Sequence, residues 1–283
     1  MRISSKNGLQ DKPSCWEGYY KGFLKVLPSV SQSYSPRDIF CDVCRIFCLS
    51  LRGAVTMSQI EKDSIEKEYQ TYVGKYGKDG MQKIAILFSY VVEALELRRQ
   101  DFLGHIQEEL DSTVKSFGQF YTPDAVSTMM ARICCEGHKI EAGKIVKIGD
   151  PSCGAGALLI AGVEGFISAG GRQGDILVCG DDLDSTACNI FYTQASLLGY
   201  AAIVTRMDTL SMKVYEGPWY TIGYFAHGMP MRLLCKHIDE AYAEKHPENQ
   251  AEVNAEDNVP CGTEEDKPLE VNVRELVQSE FQF

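Results

Sequence analysis

The sequence has no apolar run long enough to cross a bilayer. The longest, Ile84 to Val92, is interrupted by Ser89 and falls well short of the roughly 20 residues a spanning helix needs. It also lacks a basic-then-apolar leader, so no secretory signal is expected. It lacks an excess of positive charge: 28 Lys and Arg stand against 39 Asp and Glu, a net charge of -11, which on its face sits badly with a polyanionic partner. Cys41-Asp-Val-Cys44 has no second CxxC or His pair to complete a zinc site, so its thiols read as part of a core-facing helix stripe. The 11 cysteines are scattered and odd in number, which gives no disulfide framework and fits reduced thiols in a cytoplasmic protein without a membrane partner. The GxGxxG fingerprint of a dinucleotide site is absent as well.

The charge is unevenly spread. Residues 239–283 carry 13 acids and 3 bases, which leaves 26 acids and 25 bases in the remainder. The body is therefore near neutral and compatible with DNA, while the tail is acidic. Residues 1–14 are polar and expected to be disordered, and residues 244–283 form an acidic tail expected to be largely disordered. Between them, 15–117 read as a helical domain and 118–243 as an α/β domain. Within the first, Ile39, Phe40, Val43, Cys44, Phe47, Cys48 and Leu51 recur at helical steps behind Ser35-Pro36. Two further helices are expected, Ser58 to Tyr76 and Met81 to Leu97, separated by Gly77-Lys-Asp-Gly80. A short one follows from Asp101-Phe-Leu-Gly104.

The most informative stretch is Lys144-Ile-Val-Lys-Ile-Gly-Asp-Pro-Ser-Cys-Gly-Ala-Gly156. Ile145, Val146 and Ile148 suit a buried strand, and Ala157-Leu-Leu-Ile-Ala161 opens a helix. Between them Gly154 and Gly156 form a turn whose missing Cβ atoms allow a ligand close to the backbone. Asp150 at the strand tip disfavours a pyrophosphate and suits a cation. Asp175 to Cys179 reads as a second strand, ending in Gly180-Asp-Asp-Leu-Asp184. A carboxylate at that tip can accept from both hydroxyls of a ribose. Asp182 is the first candidate and Asp181 the alternative, with Asp184 as the cap of the next helix. Ala201 to Thr205 reads as a third strand before Asp208 and Thr209. Such βαβ alternation predicts a parallel sheet with helices on both faces.

With Asp150-Pro-Ser-Cys-Gly-Ala-Gly156 and, upstream, Gly118-Gln-Phe-Tyr-Thr-Pro123, the chain resembles the N6-adenine DNA methyltransferases. The likeness is to the modification subunits of type I restriction systems and their phage and plasmid relatives, and it extends over residues 17–212. It implies a Rossmann-like S-adenosylmethionine-dependent methyltransferase domain behind an N-terminal helical domain. It further implies S-adenosylmethionine as cofactor and DNA as substrate. The cofactor-lining residues it implies are Gln119, Phe120, Tyr121, Thr122, Pro123, Asp150, Pro151, Cys153, Gly154, Gly156, Asp182, Asp208 and Thr209. The helical domain is either a packing scaffold or a DNA contact.

One part of the family's pattern is missing. Its members carry an Asn/Asp-Pro-Pro-Tyr/Phe loop whose oxygens accept the target amine's hydrogens while the aromatic ring stacks on the flipped base. No such tetrapeptide occurs here. Gly217-Pro218-Trp219-Tyr220 is the nearest candidate, with a proline carbonyl and aromatic faces but no side-chain acceptor, and the packing of a loop onto the sheet edge is the favoured explanation of it. The expectation is an adenine-N6 DNA methyltransferase, with a cofactor-binding structural or regulatory module as the alternative. A small-molecule or RNA methyltransferase is a third reading, disfavoured by the helical domain joined through Gly-Gln-Phe-Tyr-Thr-Pro. No segment is large enough for target recognition, so a separate specificity subunit is expected to read the DNA sequence.

Overall fold

A computed structural model describes residues 13–113, 124–135 and 143–245. Gln119 to Pro123, and nearly all of the acidic tail, lie outside the described residues. The chain divides into two compact units, Met1–His227 and Gly228–Phe283.

The first unit opens with helices α1 (Trp16–Val26), α2 (Pro36–Val55), α3 (Gln59–Leu97) and α4 (Phe102–Thr113). Helix α2 starts where sequence chemistry puts it: Pro36 fills the first turn, and the Ser35 hydroxyl accepts the Asp38 N–H at 3.1 Å. Its apolar stripe, including Ile39, Val43 and Phe47, is buried. As expected, two helical segments meet here: α3 is broken at Gly77, whose φ of +63° is a conformation glycine adopts freely. Edge-to-face contacts of Phe102 with Trp16 and Phe23 tie α4 to α1. Burial pushes the Cys48 thiol on α2 up to about 12, so it behaves as an inert apolar side chain. Cys15, Cys41, Cys44, Cys48, Cys153, Cys179, Cys188 and Cys235 are free thiols.

Helix α5 (Asp124–Cys135) is followed by β1 (Val146–Asp150), α6 (Ala157–Ser168), β2 (Ile176–Asp182), α7 (Ser185–Leu197), β3 (Ala201–Asp208) and β4 (Lys213–Tyr220). The sheet order is β1-β2-β3-β4, with the first three strands parallel and β4 antiparallel to β3. Asp184 caps α7 through the Thr186 N–H at 2.9 Å, as its position suggested. Both crossover helices lie on one face of the sheet, where the alternation predicted helices on both. A Cβ at Gly180 in β2 would meet Leu159 of α6 at 3.1 Å and would overlap the Phe191 ring of α7. Successive right-handed crossovers advancing in one direction give that arrangement. One apolar cluster runs from Tyr19 through to Trp219, so the helices and the sheet share a core.

The segment 213–220 departs from expectation. Gly217-Pro-Trp-Tyr220 is not a loop but the end of an edge strand, and it closes a hairpin whose turn includes Met212 at φ +57°. Proline is acceptable there because an edge strand has one side without ladder bonds. The short helix α8 (Ile222–Ala226) then ends this unit, held by Thr221, whose hydroxyl donates to the Tyr200 carbonyl at 2.6 Å. In the second unit the described part is helix α9 (Met229–Lys245).

A nucleoside cradle at the ends of β1 and β2

The Asp150–Gly156 turn joins β1 to α6 at the carboxyl end of the sheet. Gly154 and Gly156 have φ of +54° and +89°, both in the left-handed region that disfavours side chains. Their surroundings differ. A Cβ at Gly156 would overlap Phe191, so this glycine lets α6 and α7 close on each other. A Cβ at Gly154 would meet nothing within 4 Å, so this glycine borders open space.

Asp182 fastens the second strand to this turn. One carboxylate oxygen accepts the Gly154 N–H at 2.8 Å and the other accepts the Asp184 N–H at 2.8 Å. Each oxygen keeps lone-pair capacity for a further donor, which is what a ribose diol requires. Register pairs Asp150 with Gly180, so Asp150 and Asp182 point to the same side of neighbouring strands, two residues apart along β2. Asp150 accepts the Ser152 N–H at 3.0 Å. Asp181 points to the other side of the sheet. Burial raises its pKa, Asp150 adds repulsion, and a hydrogen bond with Thr205 opposes both.

Cys153 is buried beneath the turn. Its N–H donates to the Asp181 carbonyl at 2.9 Å, and burial foremost, then the neighbouring acidic groups, hold its thiol well above the ordinary range. Cys153 therefore shapes the cradle through its backbone, while Pro151 is exposed at the rim. Asp208 ends β3. Its Oδ1 accepts the Leu210 and Ser211 N–H groups at 3.0 and 3.2 Å, closing the turn into β4, and hydrogen bonds from the Ser211 side chain first and then these N–H groups hold its pKa down, with Thr209 half-buried beside it.

A node not anticipated from sequence supports the turn from below. Gln194, fully buried on α7, accepts the Phe102 and Leu103 N–H groups at 2.7 and 2.9 Å. Its amide nitrogen donates to Asp101 Oδ1 at 2.8 Å and to the Ala155 carbonyl at 3.2 Å. Asp101 in turn accepts the Gly104 N–H at 2.7 Å. The Asp101-Phe-Leu-Gly104 step, the start of α4 and the glycine turn thus share one glutamine. A glutamine in the middle of a helix carries no sequence signal for such a role.

Pro218, Trp219 and Tyr220 lie on β4, at the opposite edge of the sheet from β1. Trp219 and Tyr220 pair with Val204 and Ile203, away from the Asp208 end of β3. Trp219 is 4% exposed, with the Arg52 guanidinium 4.4 Å above its ring and Arg45 at 5.7 Å. Arg45 also binds Glu68 of α3 at 2.7 and 2.9 Å and Glu216 of β4 at 3.0 Å. The structure therefore brings Asp150, Gly154, Gly156 and Asp182 together and does not bring the Pro-Trp-Tyr segment to them. No group of His, Cys, Asp or Glu among the described residues is arranged to hold a metal.

Strand, glycine turn and helix, with an acid at the tip of the next strand, define a Rossmann-like fold. Residues 98–211 match the family model of the N-6 DNA methylases. That segment contains the Gln194 node and the whole cradle, and it ends in the turn before β4. No curated protein matches the chain. Among solved structures, the methyltransferase subunit of a type I restriction-modification system from Streptococcus thermophilus is similar at 15% identity, over 70% of this chain and 59% of that one, with a TM-score of 0.40. A Listeria monocytogenes protein assigned to the class I S-adenosylmethionine-dependent methyltransferases is similar at 16% identity, over 68% of this chain and 54% of that one, with a TM-score of 0.38. The chain thus spans somewhat over half the length of either structure.

Proposed function

We propose that this chain is the S-adenosylmethionine-binding core of an adenine-N6 DNA methyltransferase. The observation that carries the reading is the 2.8 Å bond from the Gly154 N–H to Asp182, which makes the glycine turn and the strand-tip acid one cradle. The residues fit the cofactor: open space over Gly154 admits a nucleoside, Asp182 can accept from its ribose, and the Asp150 carboxylate favours a cationic ligand. Asp208, the near-by Thr209 and the Gln119–Pro123 loop are assigned to the adenine and methionine ends through the family likeness. When bound, the cofactor supplies an electrophilic methyl group on a sulfonium. The chain's own part is to hold that group in place and to keep the strand tips rigid around it.

DNA is the proposed substrate, and a separate specificity subunit the proposed reader of its sequence. No helix among the described residues is long and apolar enough to cross a membrane. A second reading is favoured by the position of Pro218–Tyr220 on the far edge of the sheet: the isolated chain binds cofactor without transferring methyl. Losing a single well-placed acceptor costs roughly 3–4 kcal/mol, a factor of about a hundred to a thousand in rate. Equilibrium dialysis with S-adenosylmethionine, followed by radiolabelled methyl transfer to unmethylated genomic DNA, tests both. Binding lost in Asp182→Ala supports the cradle, and absence of binding by the unaltered chain refutes it. Incorporation by the chain alone supports the first reading over the second.

A further inference from the structure

We infer that the cavity between α2, α4 and the first turn of α7 is a nucleobase site, suited to an amino-bearing base such as adenine from the DNA strand and separate from the cofactor cradle. The inference rests on the reading of the chain as a DNA methyltransferase and names a second contact with that substrate.

The cavity measures about 190 Å³. Sites for drug-sized ligands begin at roughly 300 Å³, so this one takes a single flat ring system. Phe40 of α2 and Leu110 of α4 give it apolar walls. Gln107 of α4 gives it the polar group that needs a guest. Gln107 is only 7% exposed, yet among the described residues its side-chain amide makes no hydrogen bond. An amide withdrawn from water without a partner is costly, and a guest that satisfies it recovers that cost. The other polar groups of the wall are already engaged. Arg37 holds Asp111 at 2.6 Å, Asp184 accepts the Thr186 N–H at 2.9 Å, and the Thr186 hydroxyl and the Cys41 thiol share a hydrogen bond.

The wall also says which guests fail. Asp111 and Asp184 outnumber Arg37 on it, so a phosphate or carboxylate is repelled. A small cation would satisfy the amide oxygen and leave the amide N–H groups without an acceptor. A hydrocarbon would satisfy neither. What answers a primary amide is a donor beside an acceptor on one planar edge. Adenine presents that pair, an amino group next to a ring nitrogen, and glutamine reads it with two hydrogen bonds. The proposed reaction brings such bases to the chain on DNA, where an unstacked base can turn out of the strand into a pocket. The cavity adjoins the cradle without belonging to it. Asp184 stands in its wall, and the Asp184 N–H donates to Asp182 at 2.8 Å. Asp150, Gly154 and Gly156 are not among its lining residues.

The test uses the full chain, with binding followed by calorimetry and by ligand-observed NMR. Free 9-methyladenine should bind, and 9-methylpurine, which lacks the amino group, should bind about threefold or more weakly. Saturating S-adenosylmethionine should leave the affinity for 9-methyladenine unchanged. A single-stranded thymidine oligonucleotide with one central adenine should bind more tightly than the same strand with an abasic position there. Gln107→Leu keeps the size of the side chain and removes both hydrogen-bonding functions, so it should erase that difference. Because the amide has no partner, this variant should melt no lower than the unaltered chain. A fall of about 4 °C or more would mean that the amide is already satisfied and would overturn the proposal. So would absence of 9-methyladenine binding, equal affinity for the two purines, displacement by S-adenosylmethionine, or an adenine preference that survives in Gln107→Leu. The comparison of the two purines on the unaltered chain needs no variant to fold. Cofactor binding is measured separately: its absence would refute the cradle and leave the purine and oligonucleotide results to decide the base site.

Discussion

The two edges of the sheet end in opposite ways. At the β4 edge the strand turns back antiparallel, its register is broken between Val204 and Met207 of β3, and Trp219 is driven into the core under Arg52. Tyr192 meets the Trp219 ring edge-on at 6.1 Å and donates its hydroxyl to the Tyr220 carbonyl at 3.0 Å. Irregular register and a twisted hairpin are among the devices that stop a sheet from recruiting another strand. Among the described residues the β1 edge has none of this. The strand is half-covered, and α5, packed on α6, leaves Val126, Met129, Met130 and Ile133 exposed. Among the described residues one edge is a finished boundary, and the other carries the glycine turn on an open one.

The comparison is broken most directly by Trp219→Ala. Removing a buried tryptophan should cost about 3–5 kcal/mol and lower the melting temperature by roughly 10 °C. A loss under about 1 kcal/mol in thermal or denaturant unfolding would show that the β4 edge is not the anchored one. Next in size is Gln194→Ala, which strands two buried N–H groups and takes one donor from the Asp101 carboxylate. About 2–4 kcal/mol should be lost, with cofactor affinity falling alongside because the Ala155 carbonyl loses its donor.

The glycine turn sharpens the contrast between packed and open sites. Gly156→Ala should destabilise the fold by about 2–3 kcal/mol through collision with Phe191. Gly154→Ala should cost only about 1 kcal/mol, the price of a left-handed alanine. Its larger effect should appear in binding, with a cofactor dissociation constant at least tenfold higher in calorimetry. If Gly156→Ala is the milder of the two in unfolding, the assignment of packed and open glycines is reversed.

The smallest expected effect concerns Asp181. Burial raises its folded pKa, so the fold favours the neutral acid. Stability from this group is present at low pH and is lost as pH rises through the raised value. Asp181→Asn should therefore melt slightly higher than the unaltered chain near neutral pH. The gap should close as the pH falls toward about 4, the ordinary carboxyl range. A variant that melts lower at neutral pH would mean that the carboxylate is the form the fold prefers.

What was legible in the sequence follows from where periodicity is strong. The β1–turn–α6–β2–α7–β3 succession could be read because Ile148, Val178, Ile190 and Val204 belong to short apolar runs or helical stripes between glycine and aspartate signals. Asp184 was legible as a cap because its side chain acts locally. Strand β4 was not, because Trp219 is its only buried residue and a lone anchor leaves no alternation to detect. Gln194 was invisible for a different reason: its four partners come from residues 101–103 and 155, and nothing local marks a glutamine as buried. Nor does a strand's composition disclose whether it will lie inside a sheet or at its border, so the exposure of β1 emerged only from the strand order.

The double hold of Gly154 and Asp184 on the Asp182 carboxylate has a further consequence. The socket takes its shape before any guest arrives, because backbone groups already fix both oxygens. A nucleoside entering it forfeits little freedom of the host, so recognition should behave as lock-and-key at this corner. Any slow structural adjustment during binding then belongs elsewhere in the molecule.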